Sequence, residues 1–333
     1  MDARALVHFV RRALRLPKNS FRKGARRIRK LRKLQKKWNK AYRRTMRQLL
    51  YARESRQPLR RLAGYLVLGG RLGVLTVRPR DKVKLWTASG VLAVRDLYGT
   101  PSRTSWALPL WSGGHSFSLR VDDLSEIEVL NEVFLRQEYS VQLHRDPEII
   151  LDLGSNIGAS VHFFRGRYPN ARIIAVEADP GTLVKLRANT GAWPNMEVHP
   201  VAVAGADGRR IFYPSRLSWA SSLIGGSAVS PLAKNVESSS IEVTACSLDS
   251  LLDRLGVLSI DLLKIDIEGA EFEALEAFTA MSRVQTLVGE FHGDLNGRSL
   301  AELAPVFEGF DLEVRSGGGP PGRCWFTARR MAS

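Results

Sequence analysis

Two groups of residues have the types and spacing for chemistry. The first lies in IILDLGSNIGAS, residues 149–160, where Asp152 runs into Gly154, Asn156 and Gly158, and Glu177 follows 25 residues after Asp152. Glycines beyond a buried apolar run let the main chain approach a ligand without interference from Cβ. Asn accepts a left-handed conformation better than most residues. An acid closing the following apolar run suits the two hydroxyls of a ribose. The second group is Asp266 and Glu268 in LLKIDIEGAE, with Glu290 and His292 in LVGEFH. Glu290 and His292 are two apart in a strand and share a face. Two uses compete for this second group. One is a general base, with His292 first and Asp266 second. The other is a divalent cation held by Asp266, Glu290 and His292, which would lower the pKa of a group bound to it; its oxygen-rich ligands suit magnesium or manganese. Glu268 reads equally as a catalytic group or as the cap of a helix starting near Gly269. Glu271 reads as solvent-facing and Lys264 as half of a structural ion pair.

The glycine turn also selects its ligand. A dinucleotide fingerprint needs glycine in the middle and sixth positions of G-x-G-x-x-G, but Asn156 and Ala159 stand there. A phosphate loop needs a following lysine, which is missing. A cationic, phosphate-free nucleoside remains, and S-adenosylmethionine fits it.

These residues need a scaffold that gathers strand ends. From residue 149, EIILDLG, ARIIAVEA, MEVHPVAVA, IDLLKID and VQTLVGEF read as strands, with helices expected over 158–167, 180–190 and 270–279. The tail from FDLEVRS to RCWFTARR reads as an antiparallel hairpin. Repeated β-α units predict an α/β fold with a mostly parallel, twisted sheet, whose ligands lie at the carboxyl ends of the strands. Residues 214–240, rich in Ser and Gly, are expected to lie over the site, with Arg216 and Trp219 as acceptor contacts.

In front of this domain, 121–333, two further regions are expected. Residues 62–120 carry the runs YLVLGG, GVLTVRP, KVKLWTA, GVLAVRD and SFSLRV, which read as a small antiparallel β layer. TPSRTSWALPLWSGG reads as loop; its Trp106 and Trp111 serve packing or line a sugar site. Residues 1–61 hold 23 Lys/Arg against two acids, so the net charge of +17 belongs to this extension and the remainder is mildly acidic. Within it Ile28, Leu31, Leu34, Trp38, Tyr42, Met46 and Leu49 form one stripe of a basic amphipathic helix. That helix suits packing on the body, an anionic membrane surface or nucleic acid. Only Cys246 and Cys324 occur, which excludes a disulfide framework or a cysteine zinc site. No run of about 18 apolar residues predicts a transmembrane helix. A cytoplasmic protein is expected, with peripheral attachment to a membrane as an extension of that reading.

Together, DLGSNIG and KIDIEGAE closely resemble the FkbM-type S-adenosylmethionine-dependent methyltransferases, as do FLRQEY (134–139), ARIIAVEADP, ACSLDSLL and VGEFH. The resemblance spans about residues 117–292. It implies a Rossmann-like class I methyltransferase fold ending in an antiparallel hairpin, and O-methylation of a sugar, glycan or glycosylated metabolite. By position it implies that Asp152, Gly154, Ser155, Asn156 and Gly158 hold the methionine and ribose parts. Glu177 would bind the ribose hydroxyls, with Ala178 and Asp179 beside the adenine. Tyr139 and Glu138 would cover the cofactor, and Val201 and Ala202, in the turn 201–204, would touch the adenine. Ser155 replaces the family's usual alanine. RNA methylation through the basic arm and a non-catalytic cofactor-binding scaffold stand as alternatives.

Overall fold

The computed structural model describes residues 58–98, 105–191, 193–214, 221–223, 240–316 and 322–331. The basic amphipathic stretch and the acceptor contacts expected at Arg216 and Trp219 lie outside them. The chain divides into two compact units, Met1–Gly64 and Tyr65–Ser333.

The described chain opens with helix α1 (Pro58–Leu72) and helix α2 (Pro79–Leu97). Pro79 sits at the start of α2, where its missing N–H costs nothing. Leu85, Ala88, Ser89, Leu92 and Ala93 form its buried stripe. The strands expected in YLVLGG, KVKLWTA and GVLAVRD are therefore corrected to helix, and GVLTVRP to the turn that joins the two helices. Their glycines, which read as strand punctuation, mark a close helix–helix approach. A Cβ on Gly69 would meet Ser89 Oγ at 2.6 Å, and one on Gly90 would meet Leu66 Cδ2 at 2.8 Å. The expected β layer shrinks to one hairpin, β1 (Trp106–Ser112) and β2 (His115–Val121). Its turn is Gly113–Gly114, both at positive φ, as a two-residue hairpin requires. The second half of the expected loop TPSRTSWALPLWSGG thus becomes β1. Helix α3 (Leu124–Leu130) follows, closed at its start by a capping box between Asp123 and Glu126.

The alternating elements then appear as expected: β3 (Ile149–Leu153), α4 (Ala159–Arg167), β4 (Arg172–Val176), α5 (Pro180–Thr190) and β5 (Met196–His199). MEVHPVAVA does not continue as one strand. Pro200 has no N–H to donate, and the chain leaves the sheet there. Residues β6 (Ala202–Val203) pair instead with β8 (Ile241–Cys246), which also pairs with β7 (Gly208–Phe212). Helix α6 (Leu248–Leu255), β9 (Leu262–Ile265), α7 (Glu271–Glu276), β10 (Thr286–His292), β11 (Phe310–Ser316) and β12 (Arg323–Arg330) complete the chain.

The main sheet has the order β5-β4-β3-β9-β10-β12-β11. Only β12 runs against the others, paired antiparallel to both β10 and β11. This is the class I methyltransferase architecture, Rossmann-like with its closing hairpin. Strands β3, β9 and β10 are buried on both faces, hence their near-continuous apolar runs. Leu151, Ile174, Leu263, Leu287, Phe291 and Phe326 belong to one core cluster. The order reverses between β3 and β9, so the carboxyl ends of β3, β4, β9 and β10 surround the switch point where ligands of such sheets sit.

Candidate active site

The turn after β3 is built for protein neighbours as well as for a ligand. Gly154, Asn156 and Gly158 all have positive φ, at 74°, 49° and 93°. A Cβ on Gly154 would collide with the carbonyl oxygen of Asp266, and one on Gly158 would meet Thr190 Cγ2 at 2.6 Å. The glycines therefore let two strand ends and a helix close up, in addition to the ligand approach expected of them. Asp152 has protein partners. Its carboxylate is wholly buried, accepts from Ser160 Oγ at 2.6 Å and lies 3.2 Å from Lys264 Nζ. In this arrangement it anchors the turn from beneath. Lys264, equally buried, donates to the carbonyls of Leu153 and Gly154, at 3.0 and 2.6 Å. Ser155 is buried and donates to the Asp152 carbonyl.

Glu177 stands at the end of β4, half-buried. Its two carboxylate oxygens accept the N–H groups of Asn156 (2.9 Å) and Asp179 (2.8 Å). Burial raises its pKa to about 7, against the lowering effect of those N–H groups. Asp179 caps α5, accepting from the N–H groups of Gly181 and Thr182, and receives Ser221 Oγ at 2.9 Å. Ala178 is partly exposed between the two acids, Val201 is partly exposed, and Ala202 is buried at the start of β6. A carboxylate pinned by backbone donors beside a left-handed turn fits the ribose of S-adenosylmethionine.

The second group converges as expected because β10 lies beside β9. His292 is wholly buried. Its Nδ1 lies 2.9 Å from Glu271 Oε1. Its Nε2 faces Glu268 Oε2 at 3.4 Å, Glu290 Oε2 at 3.7 Å and Asp266 Oδ1 at 3.9 Å. Nε2, Asp266 Oδ1 and Glu268 Oε2 are buried and have no hydrogen-bond partner among the described residues. Burial alone would lower the pKa of His292, but the carboxylates of Glu268, Glu271 and Glu290 overrule it and hold the imidazole well above its usual range. Burial also raises Glu268 to about 8 and Glu290 to about 7, with their acidic neighbours adding to it. Glu268 and Glu290 thus titrate near neutrality, as buried, grouped carboxylates do.

Further residues around this cluster were not legible beforehand as part of it. Glu271 is wholly buried, not solvent-facing; its carboxylate also accepts the N–H groups of Ile267 and Gly269 at the open start of α7. That removes the capping role from Glu268, which takes a left-handed φ of 51° and points its carboxylate at His292. Tyr139, expected over the cofactor, donates from its hydroxyl to Asp266 Oδ2 at 2.6 Å. Glu138 pairs with Arg136 at 3.0 Å. Arg323 on β12 lies 3.8 Å from Glu290 and 3.3 Å from Asp294.

The expected cation trio changes membership. Among the described residues, the donor atoms that lie within 4.8 Å of one another belong to Asp266, Glu271 and His292, without Glu290. The oxygens of Glu271 already accept two backbone N–H groups and face Nδ1, so an ion there would have to displace them.

The model of the methyltransferase FkbM domain matches residues 152–311. Over 191 residues the chain is 30% identical to the 2-O-methyltransferase NoeI of Sinorhizobium fredii, covering 52% of this chain and 77% of that protein. The chain belongs to the FkbM methyltransferase family. It is an S-adenosylmethionine-dependent methyltransferase. The hexuronic acid methyltransferase AglP of Haloferax volcanii is 24% identical over 57% of this chain and 76% of its own length. Among solved structures, Aeropyrum pernix fibrillarin with natively bound S-adenosyl-L-methionine aligns over 60% of this chain and 74% of that one, at 13% identity and a TM-score of 0.35.

Proposed function

We propose that this methyltransferase modifies a hydroxyl group of a sugar or glycan, with Asp266 receiving the hydroxyl proton. The observation that carries the reading is the state of Asp266. Its side chain keeps 17% exposure while His292 and Glu271 have none. One oxygen is held by Tyr139; the other, Oδ1, is buried, has no hydrogen-bond partner among the described residues and faces His292 Nε2 at 3.9 Å. A carboxylate oriented in this way at a strand end, with part of its side chain open, is placed to take the proton of an acceptor. His292, first in line from sequence, lies beneath it and positions the cluster.

Bound S-adenosylmethionine supplies an electrophilic methyl group; a carbon–oxygen bond forms as the carbon–sulfur bond breaks, and S-adenosylhomocysteine leaves. The chain's own part is to align the acceptor oxygen, exclude water and take the proton. Alignment contributes up to about 7–11 kcal/mol in well-oriented systems, and a positioned base typically about 10²–10⁴-fold. The surrounding acids disfavour an anionic carboxylate as acceptor by like-charge repulsion, and such an acceptor would need no base. A neutral hydroxyl suits the site better. The relatives named for 2-O-methylation and hexuronic acid methylation support a carbohydrate acceptor.

The test is transfer of labelled methyl from S-adenosylmethionine to a panel of neutral sugars, uronic acids, nucleosides and RNA, with the position of the methyl read by mass spectrometry and NMR. Ether formation on a sugar hydroxyl supports the reading. Transfer only to RNA or only to a carboxylate overturns it.

A further inference from the structure

The turn joining α1 to α2 presents apolar side chains to solvent that the rest of the fold does not use. Val74 is 71% exposed, Val77 69%, Val83 62% and Trp86 47%. On α2, Val83, Trp86 and Val94 fall within a sector of about 80° at helical spacing, on the side away from the buried stripe of Leu85, Ala88 and Leu92. Lys82 borders that sector on one side, and Arg80 and Lys84 on the other; all three are exposed. Arg78 is exposed at the turn itself, and Asp81, 3.9 Å from Arg80, is the one acid between residues 71 and 95.

We infer that this tip seats the enzyme on an anionic lipid bilayer, with Val74, Val77, Val83 and Trp86 entering the headgroup–acyl boundary. Aliphatic residues offer nothing to a phosphodiester chain but do bind hydrocarbon, and tryptophan favours the interface. The flanking Lys and Arg have stems long enough to lie along the apolar surface while their charges meet lipid phosphates. Charge complementarity thus selects anionic over neutral lipid, and the apolar centre selects a membrane over nucleic acid. The strongly basic residues 1–61 of the same chain add attraction of the same sign.

The experiment is co-sedimentation of the full-length protein with vesicles of phosphatidylcholine alone or with 30% (about one anionic lipid in three) phosphatidylglycerol. The comparison is a variant carrying Val74→Ser, Val77→Ser, Val83→Ser and Trp86→Ser, which leaves every charge in place. S-adenosylmethionine binding by both proteins checks folding independently of any acceptor. The expected result is tight partition to anionic vesicles, weak partition to neutral ones, and a loss of roughly tenfold or more in the variant from the lost apolar burial. Equal partition of variant and parent overturns the inference, because charge elsewhere then accounts for binding. So does equal binding to both vesicle types, a loss of RNA binding instead of vesicle binding, or a dimer in solution that the substitutions dissociate.

Discussion

The hydroxyl of Tyr139 and Oδ2 of Asp266 lie 2.6 Å apart, joining the segment before β3 to the end of β9. The bond fixes the direction of the Asp266 carboxylate, whose other oxygen turns toward His292 Nε2 at 3.9 Å. Tyr139→Phe is therefore expected to lower kcat by about tenfold, as loss of a supporting hydrogen bond commonly does. Affinity for S-adenosylmethionine by calorimetry should stay within about twofold of the parent. Asp266→Asn should lower kcat further, by about 10²–10⁴. A Tyr139→Phe protein with weakened cofactor binding and unchanged kcat would return Tyr139 to the cofactor side.

Glu271 holds His292 from a position no solvent reaches. Its replacement by Ala strands a buried imidazole that titrates high, and removal of one partner from such a pair costs about 3–5 kcal/mol. Thermal unfolding should show that loss. Glu271→Gln keeps the shape and a hydrogen-bonding group, and should recover part of the stability while kcat remains reduced. Equal melting temperatures for Glu271→Ala and the parent would remove the pair from the fold's support.

Glu177 predicts how cofactor affinity depends on pH. Its pKa in the free protein is raised to about 7 by burial. Accepting ribose hydroxyls requires the ionised form, so affinity is full above that pH and falls as pH drops through it. Well below it the loss approaches about tenfold per pH unit. Glu177→Gln should bind more weakly at pH 8 and with little dependence on pH between 6 and 8. A parent profile flat across that range would exclude Glu177 from the ribose.

Asp152 and Lys264 form the other buried pair, 3.2 Å apart. Asp152→Asn should destabilise the fold by about 3–5 kcal/mol, since Lys264 loses its nearer counter-charge and keeps only Asp266, 4.0 Å away. The double change Asp152→Asn, Lys264→Met should recover much of it. Additive losses in that cycle would show that the two charges do not act on each other.

Chelation separates the two uses of the acid cluster. With Asp266 as base, turnover after dialysis against EDTA should match the untreated enzyme. Activity lost to the chelator and restored by manganese or magnesium would assign the cluster to a cation instead.

The sequence made the parallel domain legible where local chemistry and burial agree. Asp179 before Pro180 marks the start of α5 through a cap and a proline at the first turn, and both ends of that helix match. Strands β3, β9 and β10 announce themselves as apolar runs because both faces are covered. The misreadings share a physical origin: each depended on a partner distant in the chain. Gly69 and Gly90 look like strand breaks until the opposing helix is seen. Asp152 looks like an open strand end until Lys264 is found beside it. Glu271 looks solvent-facing from its spacing to Leu275, because that spacing ignores the free N–H groups at the start of α7, where a carboxylate is welcome.

The bare α-carbon at Gly154 has a consequence beyond its own turn. There is no room for even one methyl between it and the Asp266 carbonyl, so the cofactor loop and the acceptor-side acid share a single seam. Gly154→Ala would open that seam like a wedge, moving methyl donor and proton acceptor apart together. A displacement of about 1 Å suffices to cost about 10²-fold in rate. Diversification toward new acceptors would then proceed through peripheral segments, with this joint kept as the hinge pin around which they vary.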